Sequence, residues 1–281
     1  MPQTQYDIVI VGGGPGGYTA AIRAAQLGMQ AAVIERDRLG GVCLNWGCIP
    51  TKALLRNAEI LSLLQHADEW GISFENLRVD FPRIIKRSRG VAERISKGVE
   101  YLMKKNAVTV IPGTASLLSA DTVEVRNDGS APSSVKAKHI VLATGARPRP
   151  LPDVPFDRKR ILTSSEAMTL PSLPASMIII GAGAIGIEFA SFYQTLGTRV
   201  TVVEMMPSIL PVEDRELTKL LASSLKKRGT EILTESRVER AEVSDHGVTV
   251  HLQAPDGARM LSADVALVAI GVQGNVENLG L

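Results

Sequence analysis

The chain has 281 residues, 45% of them hydrophobic, enough to bury a core and long enough for two domains. Its 31 lysines and arginines nearly balance 29 aspartates and glutamates, with no long block of one sign, which argues against a nucleic-acid binder. No apolar stretch reaches the length of a membrane span, and the first strand-like run begins too close to Met1 for a signal or transit peptide, so a cytoplasmic protein is expected.

The first element is the apolar run YDIVIV at 6–11, a buried strand that enters a glycine turn, then a helix ending near Gly28, then a β-branched strand ending at Glu35. Residues 40–52, GGVCLNWGCIPTK, hold both cysteines of the chain, Cys43 and Cys48. Residues 51–66 and 82–106 read as helices. Short alternating strands follow in VTVIPGT and TVEVRN, then a turn in NDGS at 127–130 and another buried strand in HIVLATG. The proline-rich RPRPLPDVP carries the chain to a second domain. There, residues 177–204 repeat residues 8–35 without a gap, so that Gly12, Gly14, Gly17, Gly28 and Glu35 fall on Gly181, Gly183, Gly186, Gly197 and Glu204. A helix at 213–228 and strands near 231–233, 247–253 and 264–270 complete the chain.

Each repeat is therefore a βαβ unit with a G-x-G-x-x-G turn. In that setting the first glycine makes the turn, the second lets backbone approach a pyrophosphate, and the third lets the helix pack on the strand. The helix N-terminus offers unpaired N–H groups and a positive dipole end to the phosphates. Glu35 and Glu204, ending the second strand of each copy, are placed to accept hydrogen bonds from ribose hydroxyls. Glu204 would repel a 2′-phosphate, and the following MMPSILPVED contains no arginine to hold one, which favours NAD over NADP.

The cysteine pair admits three readings. In a straight helix, residues five apart are separated by about 7.5 Å along the axis, beyond the usual disulfide Cα separation of about 4.4–6.8 Å. Gly47 and Pro50 could supply the distortion a disulfide needs. So short a loop would stabilise the fold by only about 2 kcal/mol, so exchange chemistry explains the spacing better than stapling. Two unrelated buried cysteines are the bland alternative. Zinc wants four ligands, and His66, His139, His246 and His251 show no ligand spacing with the cysteines.

The run GGVCLNWGCIPTKALL resembles the active-site signature of the pyridine nucleotide-disulfide oxidoreductases, and the resemblance continues through VLATGARP at 141–148, GAGAIGIEFA and ALVAIGVQGN at 266–275. It implies a fold of two Rossmann-like, three-layer α/β nucleotide-binding domains with a small β-meander insertion. It places an FAD domain at 1–147, an NAD domain at 148–272 and the start of a return to the first domain at 273–281. It also implies a Cys43–Cys48 disulfide cycling beside FAD, with Cys43 facing the substrate and Cys48 the flavin. Gly12, Gly14, Gly17 and Glu35 match FAD positions, Thr144 and Gly145 the second FAD motif, and Gly181, Gly183, Gly186, Glu204 and Gly271 the NAD site. Lys52 and Glu188 match an ion pair beside the flavin, although from the residues alone they read as a surface lysine and a helix-N-terminal glutamate.

The branch of the family that oxidises dihydrolipoamide with NAD+ is the nearest in pattern; a reductase acting on glutathione or mercuric ion, or a non-catalytic nucleotide-binding fragment, is the alternative. The implied partners are the lipoamide-bearing acyl carrier domain of a 2-oxo acid dehydrogenase complex and a second copy of the enzyme, with neither nucleic acid nor membrane. No histidine lies in a motif matching the family's catalytic base, and the chain is expected to be the N-terminal portion of a longer enzyme that adds a dimerisation domain.

Overall fold

The computed structural model describes residues 5–127, 129 and 131–281. The expected turn at 127–130 includes Asp128 and Ser130, which lie outside the described residues.

In chain order, β1 (Gln5–Val11), α1 (Pro15–Gln26) and β2 (Ala31–Glu35) form the first repeat. α2 (Gly41–Trp46) and α3 (Cys48–Gln65) carry the cysteines, and α4 (Phe81–Lys105) follows. Next come β3 (Thr109–Pro112), β4 (Thr114–Ser119), β5 (Thr122–Arg126), β6 (Ser133–Leu142), β7 (Ala146–Pro148), β8 (Ile161–Leu162) and the short α5 (Ser164–Ala167). β9 (Ser176–Ile180), α6 (Ala184–Thr195) and β10 (Arg199–Val203) form the second repeat. α7 (Arg215–Lys227), β11 (Glu231–Leu233), β12 (Arg237–Ser244), β13 (Gly247–Ala254), β14 (Gly257–Ala263), β15 (Val265–Val268) and β16 (Val272–Gly274) close the chain.

These elements gather into two units. The first comprises the described residues of Met1–Pro50 with Arg89–Arg147 and Gln273–Leu281; the second comprises Thr51–Ser88 and Pro148–Val272. Residues 51–88 group with the second unit. The reason is apolar: Leu54, Ala58 and Leu61 of α3 and Phe81 of α4 share a core with Phe189, Phe192 and Tyr193 of α6.

In the first unit the strand order is β3-β2-β1-β6-β5-β4. β3, β2, β1 and β6 run parallel, while β6, β5 and β4 run antiparallel. β1 alternates between two cores. Ile10 packs with Ala21 and Ala24 of α1 and Val99 and Met103 of α4, while Val9 and Val11 pack with Val123 and Val125 of β5. Within this unit α4 turns one stripe inward, Ala92, Ser96, Val99 and Met103, at the three- and four-residue spacing of a buried helix face.

The second unit repeats this plan. A parallel sheet, β11-β10-β9-β15-β8, has Ile179, Val202 and Leu267 facing the helices. Ile178, Ile180 and Ala266 face the antiparallel sheet β12-β13-β14 through Val248, Val250 and Leu252. Each unit is thus three layers, helices, parallel sheet and antiparallel strands, so the expected single meander insertion is present in both. β9 and β15 are buried along their whole length, as strands covered on both faces must be.

Candidate functional site

Both glycine turns have the same construction. Gly12 and Gly181 sit at φ 106° and 102°, which suits glycine alone, and a Cβ on either would collide with the carbonyl oxygen of Ala143 or Ala269, just past the end of the neighbouring strand. A Cβ on Gly17 or Gly186 would overlap the carbonyl oxygen of Gly12 or Gly181, so these glycines let α1 and α6 close on the turn. The middle glycines differ. A Cβ on Gly14 would meet only the Gly41 Cα, at 3.8 Å, and one on Gly183 nothing within 4 Å, leaving backbone open to a ligand at each helix N-terminus.

The two acidic residues are anchored identically. Glu35 Oε2 accepts from the Gly13 N–H at 2.6 Å and Oε1 from the Asp37 N–H at 2.8 Å. Glu204 Oε2 accepts from the Ala182 N–H at 2.6 Å and Oε1 from the Met206 N–H at 2.8 Å, with the residue buried. Each carboxylate oxygen retains a lone pair for a ribose hydroxyl.

In the first unit a cavity of about 160 Å³ is lined by Gly12, Glu35, Gly113, Thr144 and Asn275, among others. The Thr144 hydroxyl donates to the Asn275 carbonyl at 2.7 Å, the Asn275 amide donates back to the Thr144 carbonyl at 2.9 Å, and the Asn275 N–H donates to the Gly145 carbonyl at 3.0 Å. The expected cofactor residues Thr144 and Gly145 are therefore held by the returning segment. Beyond them Arg147 forms a two-nitrogen ion pair with Glu277, at 2.9 and 2.6 Å, which holds the Glu277 carboxyl down to about 2.

The cysteine segment is docked on the first glycine turn. The Gly40 N–H donates to the Gly13 carbonyl at 2.8 Å, and a Cβ on Gly41 would stand 2.7 Å from the Gly14 Cα. Only glycine at both 14 and 41 allows so close a crossing, while Gly40, at φ 95°, leaves no room for a Cβ beside the Leu44 side chain. Cys43 lies half-buried on α2, and Cys48 is exposed at the start of α3. The break between the helices is at Gly47, where a Cβ would press on the Val42 carbonyl at 3.0 Å and the Cys43 Cα at 3.2 Å. Pro50, expected to share in that break, instead sits in the first turn of α3, where its missing N–H would have had no helical partner.

Between the cysteines, Asn45 is buried with its side chain saturated. Its amide donates to the Leu39 and Gly41 carbonyls at 3.1 and 3.0 Å, and its oxygen accepts from the Ser96 hydroxyl at 2.9 Å. Arg89 donates to the Asn45 carbonyl at 2.5 Å and lies over the Trp46 ring; burial first, then the charge of Arg38, pushes its guanidinium below the usual value.

The second unit holds a cleft of about 1070 Å³, ample for a nucleotide cofactor, lined by Gly181, Gly183, Glu204, Gly271 and, unforeseen from the sequence, Arg237. The fold brings Arg237 there because the Ser236 N–H donates to the Glu204 carbonyl at 2.9 Å. Lys52 on α3 pairs with Glu188 on α6, Nζ to Oε1 at 2.5 Å, with 60% and 27% of the side chains exposed. So exposed a pair adds little to stability. Among the described residues no helix is long and apolar enough to cross a membrane.

Residues 6–281 match the family described as pyridine nucleotide-disulphide oxidoreductase. The dihydrolipoyl dehydrogenase of Rhizobium etli is 47% identical over 98% of this chain and 61% of its own length, and that of Bacillus subtilis 42% over 99% and 61%. Among solved structures, LpdA from Mycobacterium tuberculosis is similar with a TM-score of 0.90 at 31% identity, covering 99% of this chain and 60% of that one. The HOCl-induced flavoprotein disulfide reductase RclA from Escherichia coli gives 0.81 at 30%, covering 98% and 58%. The chain thus spans about three-fifths of the length of these relatives.

Proposed function

The chain belongs to the pyridine nucleotide-disulphide oxidoreductase family, and on that basis we propose that it carries the cofactor-binding and redox-disulfide portions of an NAD-dependent flavoprotein that oxidises dihydrolipoamide to lipoamide. The observation that carries this reading is the placing of Cys43 and Cys48 on either side of a helix break docked directly on a G-x-G-x-x-G turn. The names of the Rhizobium and Bacillus relatives support the substrate.

In this reading the first unit would hold FAD at Gly12, Gly14, Gly17, Glu35, Thr144 and Gly145, and the second NAD at Gly181, Gly183, Gly186, Glu204 and Gly271. FAD, when bound, would supply the two-electron relay between the thiols and the nicotinamide nucleotide. A substrate thiolate attacks the Cys43 sulfur, the Cys43–Cys48 bond breaks, and Cys48 leaves as thiolate; the second substrate thiolate then attacks its own mixed-disulfide sulfur and releases Cys43. The substrate is oxidised to its cyclic disulfide and the protein pair is reduced. Lys52, oriented by Glu188, would keep a positive charge at the site. A cytoplasmic homodimeric enzyme serving the lipoamide-bearing carrier domain of a 2-oxo acid dehydrogenase complex would employ this chemistry.

The E. coli relative described as a flavoprotein disulfide reductase favours a second reading, reduction of another small disulfide. The experiment is an anaerobic thiol titration of the oxidised chain. Dihydrolipoamide should expose two thiols per chain rapidly, glutathione slowly, and Cys43→Ser none by this route. Equal rates with both reductants would refute the lipoamide assignment.

A further inference from the structure

The stretch between the two cysteines is tethered from α4 at consecutive residues. Asn45, 3% exposed, is bound by Ser96. Arg89, two turns before Ser96, donates to the Asn45 carbonyl at 2.5 Å, and its guanidinium carbon lies 4.2 Å from the centroid of the Trp46 ring. That carbonyl belongs to the last turn of the six-residue α2, whose carbonyls have no partner within the helix. Gly47 and Cys48 follow at once. All of these residues lie in the first unit.

We propose that Arg89 is a positioning residue for the Cys43–Cys48 couple: by gripping the Asn45 carbonyl and the Trp46 face it holds the dithiol near disulfide geometry and so favours the disulfide. This rests on the reading of the pair as a redox disulfide. A disulfide requires Cα atoms about 4.4–6.8 Å apart. Reduction ordinarily frees the chain between two cysteines and gains its entropy. Where α4 grips that chain, reduction gains less, and the second thiol stays at high effective concentration for reclosure. A planar guanidinium can grip a carbonyl and stack on a ring together; a lysine ammonium cannot stack so.

The test is equilibration of the full 281-residue chain with glutathione and its disulfide under argon, followed by acid quenching, alkylation and mass spectrometry. One glutathione thiolate opens the Cys43–Cys48 bond to a mixed disulfide, and a second releases oxidised glutathione and leaves two protein thiols. The Arg89→Met variant should lower the equilibrium constant for disulfide formation about tenfold, ~30 mV for this two-electron couple. Arg89→Lys should retain little of the difference, and Trp46→Leu should lose about threefold through the missing cation–π contact. Lys97→Ala, at an exposed site on the same helix, should leave the constant unchanged. Far-UV circular dichroism checks that each variant folds; if Arg89→Met does not, Trp46→Leu carries the test.

A constant unmoved in folded Arg89→Met and Trp46→Leu overturns the inference while leaving the redox reading intact. A shift toward the disulfide in Arg89→Met also overturns it, because the guanidinium would then act by favouring thiolate rather than by holding the chain. A wild-type chain that forms no Cys43–Cys48 disulfide at any glutathione ratio overturns the redox reading beneath it.

Discussion

Replacing Glu204 with glutamine tests the nucleotide assignment of the second unit with the least change in shape. Both carboxylate oxygens accept backbone N–H groups, from Ala182 and Met206. Glutamine offers one acceptor and one donor, so one of those N–H groups would face an NH2, at a cost of about 1–3 kcal/mol to the second unit. For the ligand two effects add. Loss of a charge-assisted hydrogen bond to a ribose hydroxyl should weaken NADH by about 1.4 kcal/mol, tenfold. Removing a carboxylate near a 2′-phosphate relieves a repulsion of up to ~4 kcal/mol at 4 Å and effective dielectric 20. In an open cleft at physiological salt roughly a third of that survives screening, another ~tenfold in favour of NADPH. Arg237, lining the same cleft, is available as the cation. The expected result is a fall of about a hundredfold in the ratio of NADH to NADPH affinity, read by fluorescence titration of the folded variant. If the ratio stays within twofold of wild type while the melting temperature falls, Glu204 is a structural strut and does not select the nucleotide.

Gly186→Ala and Gly183→Ala separate the two uses of glycine in one turn. The first collides with the Gly181 carbonyl and should cost about 1–3 kcal/mol in urea unfolding, whereas the second meets nothing within 4 Å and should leave stability within ~0.5 kcal/mol yet weaken NADH at least tenfold; equal binding losses would refute the division. Arg147→Gln tests the ion pair that holds Glu277 down to about 2 from its usual 4.5. A depressed carboxyl stabilises the fold above its unfolded value and ceases to as pH falls, so the gap in urea midpoint between wild type and variant should be full at pH 6 and shrink between pH 4.5 and 2; a constant gap would exclude this linkage. Tyr193→Phe removes a donor from the buried Ala167 carbonyl, reached at 2.5 Å, and should cost about 1–2 kcal/mol in thermal or urea unfolding; an unchanged midpoint would mean the carbonyl finds another partner.

The βαβ repeats were legible because their signals are local. A continuous apolar strand, a glycine turn and a helix stop at glycine each act within a few residues, and Gly12–Glu35 and Gly181–Glu204 reproduce one another down to their hydrogen bonds. Strands β4, β12 and β14 were not: most of their residues are exposed or half-buried, so no clean alternation marks them, although each pairs in a hairpin with a strand adjacent in sequence. The grouping of 51–88 with the second unit was equally hidden: the stripe of Leu54, Ala58 and Leu61 shows that α3 buries a face, but not against which core. Arg237 carries no local signal, because it reaches the cleft through the hydrogen bond of Ser236 to Glu204, far away in sequence. Asn45 and the glycine pair at 40–41 did carry a signal, a buried-type polar residue between the two cysteines and adjacent glycines at a helix start, whose meaning needed the Ser96, Leu44 and Gly14 contacts.

The twin construction also sharpens what an acidic residue at the end of the second strand can mean. In each unit the glutamate ties the residue after the first glycine to the chain two positions beyond itself, bracing the turn whether or not a ribose is present. The spacing that reads as a ribose-binding signature is therefore partly a folding requirement, and a glutamate there is compatible with either use. The open backbone at Gly14 and Gly183 is different, since helix packing closes on Gly17 and Gly186 and gains nothing from leaving the middle glycine bare. Space that folding does not need, beside N–H groups with no helical partner, is the stronger argument for a phosphate. On that reasoning Gly183→Ala should impair nucleotide binding more selectively than any change at Glu204, and a Glu204 variant should always show a stability loss alongside its change in preference.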